Sequence, residues 1–215
     1  MIPVLTVIAG PNGGGKSTFA HALNLPSIDP DRIAAKYGEG FTDSANMRAA
    51  REALRLTRER LAQRQSLILE TTLAGRQPLR LMGEAREAGY LVLLAFVVPN
   101  AQDDTRFRID NRVLEGGHNI PDADLRRREP RILTNLPEAI ALADLTAIYV
   151  SSVRSQDFIL EGAAEGTSVQ LTPNVPPQVM EAVARRLEVR QVVVITENHP
   201  VVKRFQAQIV RETEV

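Results

Sequence analysis

The chain has 215 residues, 44% hydrophobic and 24% charged, with acids and bases balanced at 26 each. That suits one sizeable soluble α/β domain and leaves no overall field to draw nucleic acid or an acidic membrane surface. With no cysteine, a disulfide framework, a thiolate nucleophile and a cysteine metal site are excluded, and no apolar run approaches the ~20 residues of a membrane span.

Val4 to Ala9 is a short apolar run rich in β-branched residues, and it reads as a buried parallel strand. It leads into Gly10-Pro-Asn-Gly-Gly-Gly15-Lys16-Ser17, which fits G-x4-G-K-[ST]. Glycines let successive backbone N–H groups turn inward around a phosphate, and the next helix adds its unpaired N–H groups and positive dipole end. Lys16 is expected to reach the β- and γ-phosphates of ATP or GTP, and the Ser17 hydroxyl to ligate Mg²⁺. Gly10, Pro11, Asn12, Gly13, Gly14, Gly15 and Thr18 complete the expected nucleotide-binding set. The apolar start is too short for a signal peptide, so a cytoplasmic location is the default.

A helix is expected over 16–24, then a short strand at 27–28 ending at Asp29-Pro-Asp31. A long helix covers 44–63, with an expected apolar stripe of Met47, Ala50, Leu54 and Leu61. A second stripe carries Arg48, Arg51, Arg55 and Arg58. The strand at 66–69 ends in Glu70-Thr71-Thr72. A helix at 77–88 closes at Gly89, placed as a C′ glycine, and the strand at 90–98 is stopped by Pro99. A cap at Asn100 predicts a helix to Glu115, and another starts near Pro121. Strands at 145–150 and 158–160 follow.

Strand–helix alternation argues for an α/β fold of P-loop NTPase or kinase type: three layers, a mostly parallel sheet with helices on both faces. Residues 1–162 are read as the core, with an Arg-rich lid at about 100–131. Residues 163–215, which change to Gly-Thr-Ser and proline-rich stretches, are read as a C-terminal appendage or edge extension.

A P-loop alone does not name an activity. GPNGxGKST is also how transporter-type ABC ATPases spell this loop, and Leu73-Ala-Gly-Arg-Gln77 echoes their signature. Position argues against that reading, because the strand after the signature ends in Pro99-Asn100 and carries no catalytic acids. Phosphoryl transfer needs a carboxylate to accept a hydroxyl proton, cations for the moving phosphoryl group, and a lid to exclude water. Asp31 suits the first role, its alternative being a helix cap. Glu70 suits ordering of Mg²⁺-bound water or holding of substrate. Arg108, Arg112, Arg126, Arg127, Arg128 and Arg131 are the lid candidates, of which only one or two can reach a γ-phosphate while the rest are solvated or paired.

Four stretches together resemble the zeta-toxin family of P-loop kinases, especially its chromosomal branch often labelled "predicted ABC-type ATPase". They are GPNGGGKSTFA, Asp29-Pro-Asp-Arg-Ile-Ala, Glu70-Thr-Thr-Leu-Ala-Gly75, and Arg112-Val-Leu-Glu-Gly-Gly-His-Asn-Ile-Pro121 with Leu125-Arg-Arg and Asn135-Leu. The resemblance implies ATP- or GTP-dependent phosphorylation of a hydroxyl on a UDP-linked amino sugar such as UDP-N-acetylglucosamine, with Mg²⁺ and an antitoxin-like protein partner. Carried over by motif, Asp31 matches the base and Lys16 the phosphate lysine. Glu70 and Thr71 match the substrate side, Arg112 and Arg127 the lid arginines, and Arg51 an arginine of the long helix. His118 contacts substrate phosphate or bonds to the lid backbone. The chain departs from the family at Glu129-Pro130, where proline should bend or start a helix, and at Tyr149-Val-Ser-Ser152. Another class of function is a nucleotide-binding ATPase module that hydrolyses or senses ATP with no small-molecule acceptor. A polynucleotide kinase fits poorly, because the charge is neutral and aromatics are few.

Overall fold

The structure is a computed structural model, and it describes residues 2–22, 27–37, 42–100, 122–152, 157–192, 195–196 and 198–213. The strands are β1 Val4–Ala9, β2 Ser27–Ile28, β3 Leu67–Thr71, β4 Leu91–Pro99, β5 Leu145–Ser151, β6 Phe158–Glu165, β7 Ser168–Leu171 and β8 Glu188–Gln191. The helices are α1 Lys16–Ala22, α2 Pro30–Ala35, α3 Asp43–Ala62, α4 Gln77–Glu87, α5 Asp122–Leu142, α6 Pro177–Ala184 and α7 Pro200–Thr213. The strands form one eight-stranded sheet in the order β2-β3-β1-β4-β5-β6-β7-β8. From β2 to β5 every pairing is parallel; β6 and β7 then run antiparallel to their predecessors, and β8 is parallel to β7.

β1 and β4 are apolar on both faces, as central parallel strands covered from both sides must be. Leu5, Val7 and Ala9 face a core shared with α3, α4, α5 and α6. Val4 and Ile8 face a second core built with Phe19 of α1 and Val201, Val202 and Phe205 of α7. The three-layer α/β architecture expected from the alternation is therefore present.

Two local readings change. The buried row of α3 is Ala45, Ala49, Ala53, Thr57 and Leu61, while Met47 is 56% exposed and Ala50 faces solvent. Alanines four apart make a flat stripe that lets the helix backbone approach its neighbours, and the larger Met47 would hold it away. Pro130 and Pro137 do not break α5, which runs from Asp122 to Leu142 through both.

The residues after 162 are built into this fold. The 162 boundary falls inside β6; β7 and β8 widen the same sheet, and α7 covers the face that α1 leaves open. Phe205 is fully buried against the core strands. Phe205→Ala should cost about 3–5 kcal/mol and lower the midpoint of one cooperative urea transition. A separate, earlier transition for the C-terminal elements would contradict the shared layer.

Candidate nucleotide-binding site

The C-terminal ends of parallel strands are where a doubly wound sheet binds its ligands. Here β1 ends at Ala9 beside Thr71 of β3 and Phe96 of β4, and the glycine-rich loop closes over that edge before α1. Gly10 has φ +145°, and a Cβ there would lie 1.9 Å from Val97 O, so only glycine fits. The Gly14 N–H donates to Pro11 O at 3.1 Å, which curls the loop. Lys16 Nζ donates to the same carbonyl at 2.9 Å, lying across the loop it is expected to serve. Thr18 is exposed in the first turn of α1.

The carboxylates gather on the β3 side. Glu70 is 3% exposed and accepts from Ser17 Oγ at 2.9 Å, while its other oxygen accepts from Ser27 Oγ. The pairing of β2 with β3, Ile28 opposite Leu69, brings Asp29 beside that carboxylate. Asp29 accepts the Asp31 N–H at 2.9 Å and is the N-cap of α2. The cap is thus Asp29, and Asp31, half-buried in the first turn, is not needed for it. Burial, reinforced by the charges of Glu70 and Asp31, pushes the Asp29 carboxyl up to about 6; the Asp31 amide and Lys16 oppose that rise.

Thr71 and Thr72 hold the loop after β3: Leu73 N donates to Thr71 Oγ1 at 3.1 Å and Ala74 N to Thr72 Oγ1 at 3.4 Å. Leu73 takes φ +63°, a left-handed conformation that needs outside support. Asn135 of α5 supplies it, donating to Leu73 O at 2.8 Å and Gly75 O at 3.3 Å. The same helix brings a cation to the P-loop. Arg128 Nη1 donates to the buried Asn12 Oδ1 at 3.3 Å, and Asp124 lies 3.9 Å from its Nη2. Arg127 turns outward to pair with Asp124 at 2.9 Å, with 60% of its side chain exposed.

The structure thus brings Lys16, Ser17, Asp31, Glu70 and Thr71 to one sheet edge. Arg51 lies exposed on α3, where Nη2 donates to Met47 Sδ at 3.3 Å. Arg112, His118 and the helix expected over 100–115 lie outside the described residues. Sequence reasoning gave no site role to Ser27, Asp29, Asn135 or Ser151. The signal for Ser27 and Ser151 was available, since each is a small polar residue in or at the end of a short core strand.

Among the described residues no group of three histidine or acidic side chains could hold a metal ion by itself. Ser17 and Glu70 offer two oxygen-bearing side chains. That fits Mg²⁺, which is commonly held by one or two protein oxygens with waters and substrate phosphates. Among the described residues no helix is long and apolar enough to cross a membrane.

No protein-family profile matches the chain. An uncharacterized protein of Haemophilus influenzae is 32% identical over 123 residues, 55% of this chain and 87% of that protein, and the chain belongs to the same family. A chain of the PezAT chromosomal toxin–antitoxin system of Streptococcus pneumoniae superposes with TM-score 0.55 at 14% identity, covering 98% of this chain and 85% of that one. A chain of AvrRxo1-ORF1:-ORF2 solved with ATP gives TM-score 0.65 at 13% identity, covering 91% and 66%. The likeness to zeta-toxin P-loop kinases drawn from the motifs therefore holds at the level of the fold.

The raised Asp29 pKa has a thermodynamic consequence. Unfolded, this carboxyl releases its proton near 3.8; folded, it does so near 6. The folded state binds the proton more tightly between those values, so this group's stabilising contribution is full below about 4 and lost as pH rises through 6. Asp29→Asn keeps a capping side chain and removes the charge. It should raise stability at pH 8 by about 3 kcal/mol relative to the parent, because the rise from 3.8 to about 6 is roughly two units, each worth about 1.4 kcal/mol. The gain should shrink towards zero near about pH 3.5, where both states of the parent are protonated. Paired urea melts at the two pH values check this, and an equal gain at both would refute the assignment.

Proposed function

We propose that the protein is a P-loop phosphotransferase of zeta-toxin type, moving the γ-phosphate of ATP or GTP to a hydroxyl of a UDP-linked amino sugar. One observation carries the reading. Two carboxylates follow β2 and a third ends β3, all on the side of the P-loop where Ser17 is hydrogen-bonded to Glu70. A machine that only hydrolyses needs one acid to place and polarise a water. A kinase needs acidic groups that receive an alcohol proton and grip an acceptor beside the phosphates.

In this reading the glycine amides and Lys16 hold the β- and γ-phosphates. Mg²⁺, when bound, neutralises phosphate charge, and Ser17 is its protein ligand. Asp31, relieved of capping, accepts the acceptor's hydroxyl proton. Glu70 keeps the Ser17 hydroxyl oriented, and with Thr71 it borders the acceptor. Arg128 takes the lid role that the motif match gave to Arg127, because Arg128 is the arginine already bonded to the loop; Arg112 and His118 would complete the lid. PezAT is a toxin–antitoxin system and AvrRxo1-ORF1:-ORF2 a pair of chains, which supports a small neutralising protein as partner.

Incubation with γ-labelled ATP, Mg²⁺ and a fractionated metabolite pool should transfer label to a nucleotide sugar. Label released only as inorganic phosphate would favour the ATPase reading. Asp31→Ala should abolish transfer while MgATP still binds, as followed by calorimetry. Arg128→Ala should lower kcat by about a hundredfold or more, and Arg127→Ala by less than about threefold, as for an exposed ion pair. The reverse order would return the lid role to Arg127.

A further inference from the structure

Ser151 ends β5 and belongs to none of the residues that spell the P-loop. It is fully buried. Its Oγ donates to Gly14 O at 2.9 Å, with Val98 O also within 3.4 Å. Its backbone is fixed on both flanks: Ser151 pairs with Pro99 of β4 and Phe158 of β6, and its carbonyl accepts the Asn100 N–H at 3.1 Å. The hydroxyl is therefore mounted on a rigid, buried strand end.

In a trans peptide the C=O and the following N–H point in opposite directions across one plane. Holding Gly14 O against β5 turns the Gly15 N–H the other way, towards the open side of the loop. The Gly14 N–H is already used on Pro11 O, and Gly15 O accepts from Phe19 N at 2.8 Å in the first turn of α1. The Gly15 amide is thus the next donor offered to a phosphate. The peptide is flanked by glycines, Gly13 at φ +72° and Gly15 at φ +91°, and glycines cross between backbone regions at little cost.

We propose that Ser151 is a positioning residue for the nucleotide's phosphates, locking the Gly14–Gly15 peptide so that the Gly15 amide faces the bound β-phosphate. The proposal rests on the loop's being a nucleotide site and is independent of which acceptor is used. A preformed amide dipole needs no reorganisation when the anion arrives, whereas an unanchored glycine peptide must be ordered by the ligand.

MgADP titrated into the full-length protein by calorimetry tests it. Ser151→Ala should weaken MgADP binding about tenfold, and Ser151→Thr, which keeps the hydroxyl, should recover to within about threefold of the parent. A residue with only a structural role would lower the melting temperature and leave affinity untouched. Should the alanine variant fail to fold, Ser151→Cys, close in size but a weak donor, should bind MgADP several-fold more weakly than the parent. Unchanged affinity in the folded alanine or cysteine variant overturns the proposal. A parent protein that does not bind MgADP overturns the nucleotide site and this proposal together. One that binds MgADP but transfers no phosphate overturns only the kinase reading.

Discussion

A carboxylate taken out of water costs several kcal/mol unless hydrogen bonds replace its hydration. Glu70 is such a group, and its two donors come from different segments: Ser17 at the start of α1 and Ser27 in β2. Satisfying it fixes three elements at once. β3 must lie between β1 and β2, α1 must start above the β1–β3 edge, and the turn after β2 must deliver Asp29 and Asp31 to the same place. That sheet edge is in this sense arranged around one side chain. The cost of that setting appears in Asp29, whose proton is held more tightly because burial strips its carboxylate of water and, secondly, because Glu70 and Asp31 stand close.

The other flank of the P-loop is held by packing. Phe19 of α1 lies 4.7 Å from the Tyr149 ring and 5.1 Å from the Phe158 ring, centroid to centroid. Tyr149 is on β5 and Phe158 opens β6, so the strand that leads into the C-terminal extension touches the helix that carries Lys16 and Ser17. Phe158 is also the strand partner of Ser151. The extension therefore completes the second helical layer and stiffens the strand end on which the Gly14 carbonyl rests.

The fold was legible because its signals are local and redundant. β1 and β4 are long apolar runs, Gly89 has the positive φ of a C′ glycine, and the glycine loop sits between a strand and a helix as its spelling requires. What escaped depends on pairings across the chain. Met47 and Ala50 fit a helical stripe as well as Ala45 and Ala49 do, and only the close approach of neighbouring elements favours the smaller residues. Three adjacent arginines differ by rotation about one helix, so whether Arg127 or Arg128 meets Asn12 follows from how α5 lies on the sheet. The same holds for the choice between Asp29 and Asp31 as cap, which turns on where β2 ends relative to β3.

Lys16 and Arg128 each donate to an acceptor of the loop itself, Lys16 to the Pro11 carbonyl and Arg128 to the Asn12 amide oxygen. A neutral oxygen is a weaker partner for a cation than a phosphate oxygen, and the difference grows where water is excluded. The lysine is delivered by α1 and the arginine by α5, which also bonds through Asn135 to the loop that follows Glu70. One helix thus contacts both the glycine loop and the loop that follows the acid-bearing strand.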